Sequence, residues 1–178
     1  TMYYFEIIVD FGFNLSATRE IALNSKNSNK LNEIISAVLS IKFFLVIFCC
    51  LMLSLVVNAF ERFTQDSILY YYSFLKVVAL AFFPVWYFQG IEKMKYITII
   101  NIISKSIFTI LIFIFIKSEA DYLLVPLISG FGYIIGSLIA IAYLFIKFKR
   151  TFILCSFAII RSSFYESSMF FLSRVSVS

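Results

Sequence analysis

The sequence predicts an all-α protein, a polytopic bundle of transmembrane helices, and three observations lead to that fold class. Of the 178 residues, 62% are hydrophobic and only 14% are charged, which leaves too few polar groups to cover a water-soluble globule. Apolar runs of about 20 residues, enough for one helix to cross the hydrocarbon core, recur along the chain. The alternating pattern of an outer-membrane barrel is absent. We therefore expect about five complete or near-complete helices and one partial helix.

Short polar segments separate the predicted helices. Residues 19–33 are polar and rich in Asn and Ser, as a loop is, whereas residues 43–60 carry no charge and rise about 27 Å, close to a full crossing. Pro84 is expected to bend the third helix near one end. The predicted helices cover residues 1–18, 36–60, 67–89, 96–116 and 122–146, and a further helix begins near residue 165. Both chain ends fall within helices, so we expect truncation at both ends.

The basic residues are distributed unevenly between the two sides of the predicted bundle. Segments 19–33, 90–95 and 147–161 carry nine Lys or Arg, whereas the two intervening turns carry two. Lys and Arg near helix ends are retained on the cytoplasmic side of a membrane. This asymmetry predicts that the three basic segments are cytoplasmic. It also accounts for the net charge of +5, so nucleic-acid binding is not expected.

The sequence offers little material for enzymatic or metal chemistry. The absence of His removes His-dependent triads and His metal sites from this chain. The three Cys lie in or beside apolar runs, without a CxxC spacing. There is no Walker A, HExxH or GxSxG motif. We therefore expect no enzyme, no metal and no cofactor.

Several charged residues fall deep within the predicted helices. Asp10, Lys76 and Lys105 each lie about 13 to 15 Å from the nearest loop, where a charge normally faces the bundle interior or a wet cavity. They are functional candidates for that reason. Lys76 has an alternative, because its ammonium group can extend to the headgroups. Only eleven residues separate Lys105 from Lys117, so shifting the helix does not remove Lys105 from the membrane. Lys42 precedes a sufficient uncharged run and is interpreted as interfacial.

The first predicted helix carries a polar stripe. Glu6, Asp10 and Asn14 are spaced four residues apart, with Thr18 four further on, which places them on one face. Such a stripe in a spanning helix suggests a lined cavity. Two carboxylates about 6 Å apart along the axis are able to raise each other's pKa and carry a proton or bind a cation. The alternative is that Asp10 pairs with a Lys of another helix.

Small residues recur on the fifth predicted helix. Gly132 and Gly136 are four residues apart, with Gly130 before them and Ala140 after. Small residues at this spacing let two helix backbones approach closely. No preceding strand or GxGxxG spacing supports nucleotide binding. The segment therefore predicts close helix packing.

The amino-acid sequences of four segments resemble those of a known family. They are DFGFNLSATREIA (residues 10–22), PVWYFQGIEKMKYITIIN (84–101), DYLLVPLISGFGYIIGSLIA (121–140) and ESSMFFLSR (166–174). In this order they resemble bacterial O-antigen flippases. Those are Wzx-type transporters of the polysaccharide branch of the multidrug and oligosaccharidyl-lipid exporter superfamily. The resemblance covers nearly the whole chain.

The resemblance implies an architecture and a function. Residues 1–164 would form helices two to six, most of the N-terminal bundle, and residues 165–178 would start the second bundle of a two-bundle, alternating-access transporter. The implied activity is translocation of undecaprenyl-diphosphate-linked O-antigen or polysaccharide repeat units across the bacterial inner membrane. The implied partners are this lipid-linked oligosaccharide, membrane lipid and a coupling ion, H+ or Na+. A piece of this length is expected to be inactive alone.

The resemblance also implies roles for the candidate residues. Related transporters line their central cavity partly with helices two and seven, which points to Glu6, Asp10, Asn14 and Arg174. Arg174 would contact the diphosphate or an acidic sugar, and Asp10 would contribute to ion coupling. Lys76 and Lys105 would hold the first bundle together.

Three other interpretations stay open from the sequence. A drug or cation antiporter of the same superfamily is the nearest. A membrane-embedded polysaccharide polymerase would need a large external loop with catalytic residues, whereas the external turns here hold only about six residues. A non-functional remnant would fit the truncated ends.

Overall fold

The computed structural model describes residues 2–64, 66–153 and 156–175, without the side chains of residues 61–62, 119–120 and 172–175. All regular structure in this part of the chain is helical, so the predicted all-α class is confirmed. The helices are α1 (Met2–Asp10), α2 (Phe13–Leu23), α3 (Ser28–Ala59), α4 (Glu61–Thr64), α5 (Ser67–Phe82), α6 (Val85–Gly90), α7 (Lys95–Phe115), a 3-10 turn (Glu119–Leu123), α8 (Leu124–Ala142) with a π turn (Tyr143–Lys147), and α9 (Phe157–Val175).

Four segments of the described chain are long and apolar enough to cross a membrane. They are Ser28–Ala59, Ser67–Gly90, Lys95–Phe115 and Asp121–Lys147. Each matches one of the predicted spans, so the chain is a multi-pass membrane protein. The remaining predicted span, residues 1–18, is divided between α1 and α2.

The break between α1 and α2 lies in the backbone of two residues. Phe11 and Gly12 have φ angles of +45° and +75°, in the left-handed region that a continuous right-handed helix excludes. After this break α2 runs on to Leu23. The predicted single helix over residues 1–18 is therefore wrong. The helix is interrupted after Asp10, and its second part ends at Leu23.

The predicted loop at residues 19–33 is also wrong, because only residues 24–27 connect α2 to α3. The side chain of Asn27 caps α3 by accepting a hydrogen bond from the Lys30 backbone N–H at 3.2 Å. Lys30 and Glu33 then form an ion pair of 3.1 Å along the helix. The polar residues at the start of α3 therefore belong to a helix end that is exposed to water. With 32 residues, α3 is about 48 Å long and exceeds the bilayer core.

The expected bend at Pro84 is confirmed, since α5 ends at Phe82 and α6 starts at Val85. The short α6 packs on α2 at a close approach. A side-chain carbon added to Gly90 would lie 2.5 Å from Ile21. The Thr18 hydroxyl donates a hydrogen bond to the Trp86 carbonyl at 3.2 Å. α2 and α6, each the second part of an interrupted helix, therefore pack closely against each other.

The close packing predicted for the glycine-rich helix is confirmed. A carbon added to Gly132 would lie 3.0 Å from the Ser104 carbonyl oxygen of α7, and one added to Gly136 would clash with the Ser104 hydroxyl. A carbon added to Gly130 would lie 2.7 Å from the Leu75 side chain of α5. The α8 backbone is thereby wedged between α5 and α7.

The last helix begins earlier than predicted. α9 starts at Phe157 rather than near residue 165, and the π turn carries α8 through Lys147. The predicted basic segment 147–161 therefore contains the last helical residue of one helix and the first turn of the next. Its charged residues had hidden the helix start, although charge at a membrane surface does not oppose helix formation.

The connections gather at two ends of the bundle. Arg150 donates hydrogen bonds to Tyr87 and Ser28, and the Asn32 amide bonds Thr151. Connections 24–27, 91–94 and 148–153 thus share one end, which we call the basic end. Residues 60–64, 66 and 116–123 form the other end, where Phe63 packs on Tyr70.

Candidate functional site

A cavity lined by both charged and apolar side chains lies between α1, α3 and α5. Its volume is about 190 Å³. The predicted stripe of the first helix forms one wall, through Glu6, Asp10 and Asn14, and Lys42 of α3 reaches in from another. The stripe therefore lines a cavity as its spacing indicated.

Asp10 and Lys42 form the inner ion pair of this cavity. The Lys42 ammonium nitrogen lies 3.9 Å from a carboxylate oxygen of Asp10, and their side chains are only 3% and 13% exposed. The Lys42 ammonium also lies over the Phe13 ring, 6.0 Å from its centre. The interfacial interpretation expected the Lys42 ammonium at the membrane surface, whereas the structure buries it beside Asp10. Lys42 lies about 21 Å from the start of α3, a helix that is longer than the bilayer core.

Glu6 and Lys76 form a second ion pair one helical turn away. The Lys76 ammonium donates a hydrogen bond to the Glu6 carboxylate at 3.1 Å. It also lies 5.6 Å from the centre of the Tyr133 ring of α8. These side chains are 27% and 38% exposed, more than those of the first pair. Lys76 points into the bundle and links α1 to α5.

The two pairs make a neutral ladder along α1. Each carboxylate of the stripe has an ammonium group from a different helix beside it. Of the two alternatives for Asp10, the structure shows the interhelical ion pair. Buried charges are tolerated in a membrane when they are paired in this way. The ladder fixes α1 against α3 and α5 while keeping polar atoms at the cavity wall.

The helix break lies immediately beside the inner pair. Asp10 is the last residue of α1, and Phe11 and Gly12 follow it. Irregular backbone at membrane depth occurs where it is covered by protein or lines a cavity. Both conditions hold here, since the cavity lies on one side and α9 on the other.

Gly12 also permits the approach of α9. A carbon added to Gly12 would lie 2.8 Å from the Ser167 carbonyl oxygen. The hydroxyl groups of Ser16 and Ser167 are hydrogen-bonded at 2.7 Å, and the Phe11 ring stacks on Phe164 at 4.5 Å. We call this contact between α2 and α9 the serine seam.

A pair of glutamates closes the serine seam on the side of α2 nearer the basic end. Burial raises the pKa of Glu20, and the charge of Glu166 on α9 with its hydrogen bond raises it further. Lys30 and Arg19 act in the opposite direction. A hydrogen bond between two carboxyl groups needs a proton, because ionised carboxylates only accept. The docked pair therefore holds one proton more readily than separated glutamates would.

Two predicted site residues do not join this arrangement. The side chain of Arg174 lies outside the described residues, although its backbone continues α9. Lys105 is exposed on α7 and makes no hydrogen bond or ion pair with the residues that the structure describes. It therefore does not hold the described bundle together, because its side chain points away from the packed face.

The sequence did not assign three features to this site: Lys42, the face of α2 that carries Gly12, and Ser167. Lys42 was expected at the membrane surface instead of in the cavity. The spacing Gly12, Ser16, Glu20 at every fourth residue was a signal for the serine seam. Nothing in the sequence by itself pairs that face with Ser167.

Together the broken helix, the ion-pair ladder and the cavity define a multi-pass helical membrane protein with a charge-lined site within its membrane-spanning part. The family model described as "Polysaccharide biosynthesis protein" matches residues 1–178, and the chain belongs to this family. This membership agrees with the resemblance seen in the sequence.

Two curated relatives carry the same printed name, "Putative O-antigen transporter". One, from Escherichia coli (strain K12), is 29% identical over 142 residues, covering 80% of this chain and 34% of the relative. The other, from Shigella dysenteriae, is 34% identical over 175 residues, covering 97% of this chain and 43% of the relative. The chain thus spans less than half the length of either relative. No solved structure matches it.

Proposed function

We propose that this chain is part of a flippase that moves undecaprenyl-diphosphate-linked O-antigen or polysaccharide repeat units from the cytoplasmic to the periplasmic leaflet of the bacterial inner membrane. The observation that carries the proposal is the charge-lined cavity beside a broken helix. The family of the chain and the names of its relatives support the substrate class. A sugar chain crossing hydrocarbon needs such a polar wall, because its hydroxyl groups otherwise lose their hydrogen bonds.

The residues divide this work by their chemistry. Glu6, Asp10 and Asn14 offer hydrogen-bond partners to sugar hydroxyl groups along one stripe of α1 and α2. Arg174 supplies positive charge for the diphosphate, which a guanidinium group binds in bidentate fashion. Lys76 keeps the stripe in place through Glu6.

Alternating access in this proposal is a movement of α9 against the first bundle. The boundary expected at residue 164 shifts to the start of α9, so the helices before Phe157 belong to the first bundle and α9 starts the second. The serine seam is the contact between them. Closing and opening this seam changes access to the cavity from the side of the basic end.

Ion coupling is assigned to Asp10. A proton or Na+ that binds the Asp10 carboxylate competes with the Lys42 ammonium for the same charge. Loading the ion therefore loosens the contact of α1 with α3. Unloading restores the ion pair.

The proposed orientation places the basic end in the cytoplasm, with segments 19–33, 90–95 and 147–161 on that side. The gathering of their connections at one end of the bundle supports a common side. The retention of Lys and Arg on the inner side of bacterial membranes gives the direction.

The competing functions have less support. The described connections at the other end, residues 60–64, 66 and 116–123, are short, whereas a polymerase needs an external catalytic loop. A drug antiporter is distinguished by transport of small cations. We infer that the protein carries its substrate without chemical change and is not an enzyme.

Complementation of a flippase-null strain with the complete transporter tests the proposal. We expect Arg174→Ala and Asp10→Ala to lower surface O-antigen at least tenfold per molecule of membrane-inserted protein, since each removes a charge that the transport cycle uses. Arg174→Lys and Asp10→Glu should retain more activity. Arg161→Ala and Asp66→Ala serve as matched controls, because both side chains are exposed.

Full complementation by both alanine variants would show the site assignment to be wrong. Immunoblots of the membrane fraction separate loss of transport from loss of protein. Uptake or efflux of small organic cations by the wild type would favour the antiporter instead.

A further inference from the structure

Lys105 occupies the midpoint of a helix that crosses the membrane. α7 extends from Lys95 to Phe115, and Lys105 is ten residues from either end. That corresponds to about 15 Å in each direction, the half-thickness of the hydrocarbon core. The side chain is exposed on the bundle surface. A membrane-spanning surface therefore presents an ammonium group at its deepest level.

Polar side chains accompany Lys105 along α7. Asn101, Lys105 and Thr109 are four residues apart, and Thr98 precedes Asn101 by three, so all four share one face. Asn101 is half-buried and the other three are exposed. We call this face the α7 polar stripe. It is separate from the packed face of α7, where Ser104 meets the glycines of α8.

The charges of the described spans leave Lys105 as an excess cation. Lys42, Lys76 and Lys105 lie within the membrane-spanning helices, and the carboxylates of the ion-pair ladder are Glu6 and Asp10. Both carboxylates have a lysine beside them. α7 and α8 themselves contain no acidic residue. The counter-ion of Lys105 must come from beyond these helices.

The headgroups are too far away to supply it. A helical lysine directs its stem toward the helix N-terminus, here toward the basic end. A stem of about 6 Å leaves the ammonium group roughly 9 Å short of Lys95. A phosphate at the headgroup level does not pair with it there.

We propose that the α7 polar stripe is the docking surface of another membrane-spanning helix, which carries an Asp or Glu at its midpoint as the counter-ion of Lys105. Polar side chains at four-residue spacing match the repeat of a helix packed alongside. A second copy of this surface is a poor occupant, because two-fold pairing of α7 would bring Lys105 against Lys105. The inference goes beyond the proposed function and depends only on membrane insertion.

The first test identifies the occupant by photo-crosslinking in native membranes. A photo-reactive phenylalanine derivative replaces Ile102, which is 59% exposed and lies one turn from Lys105. The matched control replaces Ile103, at the same depth on another face. We expect Ile102 to crosslink a peptide containing an apolar span with Asp or Glu near its centre, and Ile103 not to. Adducts to lipid alone, or to α7 of a second copy, would overturn the proposal.

The second test exchanges the charges and does not rely on transport. Lys105→Glu should lower the amount of folded, protease-resistant protein in the membrane at least threefold, and Lys105→Arg should not. Combining Lys105→Glu with a lysine at the acid found by crosslinking should restore the wild-type amount. Lys93→Glu, an exposed change at the basic end, is the control. Normal folding of Lys105→Glu, or no rescue by the exchange, would contradict the ion pair.

Discussion

Asp10 and Lys42 show how strongly one buried partner depends on the other. Both side chains are almost fully enclosed, and the desolvation of each charge is offset by its neighbour. Removing one partner leaves an unpaired charge buried within the bundle, whereas removing both leaves none. The two residues should therefore behave as a unit.

We expect Asp10→Asn and Lys42→Met each to lower the stability of the complete protein by about 3–5 kcal/mol. The double variant should lose much less than the sum of the single losses. Thermal unfolding in detergent measures this difference. Glu6→Gln serves as comparison and should cost less, because its pair is more exposed. Additive losses at Asp10 and Lys42 would show that the pair is not coupled.

At the residue scale, the sequence predicted the stripe but not its partners. Spacing alone placed Glu6, Asp10 and Asn14 on one face. It did not select which lysine meets which carboxylate, because that choice depends on how α3 and α5 cross α1. The burial of Lys42 beside Asp10 likewise depends on the packing of α3 against α1.

Among the elements, the α2–α9 contact joins a glycine, a serine pair and a glutamate pair along a single face. The backbones approach at Gly12, the hydroxyl groups meet at Ser16, and the carboxyl groups meet at Glu20. Only the last of these contacts changes with pH. The stability of the seam is consequently linked to proton concentration.

We expect α9 to separate from α2 as pH rises. The docked arrangement raises the pKa of Glu20 above its ordinary value of 4.5, so above that pH the docked state binds more protons than the undocked state. Docking therefore becomes weaker as the pH rises from the ordinary pKa of Glu20 to its raised pKa. Spin labels on exposed Leu15 and Met169 report the distance between the helices.

Glu20→Gln should abolish most of this pH dependence, because a neutral amide replaces the titrating group. Glu92→Gln, on the exposed connection before α7, should leave it unchanged. A distance that stays constant with pH in the wild type would rule out the glutamate pair as the pH-sensitive contact.

Helix existence was easier to predict from sequence than helix extent. Apolar runs located the four spans, and Pro84 located the interruption between α5 and α6. Polar residues beyond the apolar run were assigned to loops, although a helix that emerges into water stays helical when it is capped, as Asn27 does for α3. The break at Phe11 had no proline to mark it.

In the whole molecule, charge and connectivity agree on a common end for the basic connections. The hydrogen bonds of Arg150 and Thr151 tie these connections together at the basic end. The opposite end carries short turns. This arrangement makes the direction of insertion testable without any knowledge of the substrate.

We expect Ser25→Cys and Met94→Cys to react with a membrane-impermeant maleimide only after the cytoplasm is opened, and Asp66→Cys to react in intact spheroplasts. All three positions are exposed. The background replaces the native cysteines with serine or alanine. Labelling of Ser25→Cys from outside would invert the proposed orientation.

The break at Phe11 and Gly12 separates α1, which ion pairs hold in the first bundle, from α2, which contacts α9. α1 is held by two ion pairs, whereas α2 contacts α9 through the hydrogen bond between the Ser16 and Ser167 hydroxyl groups. Because α2 is also held on α6, where Gly90 meets Ile21 and Thr18 bonds Trp86, the proposed movement takes place at the serine seam while the ladder stays closed. Such a movement of α9 strands no charge in the membrane.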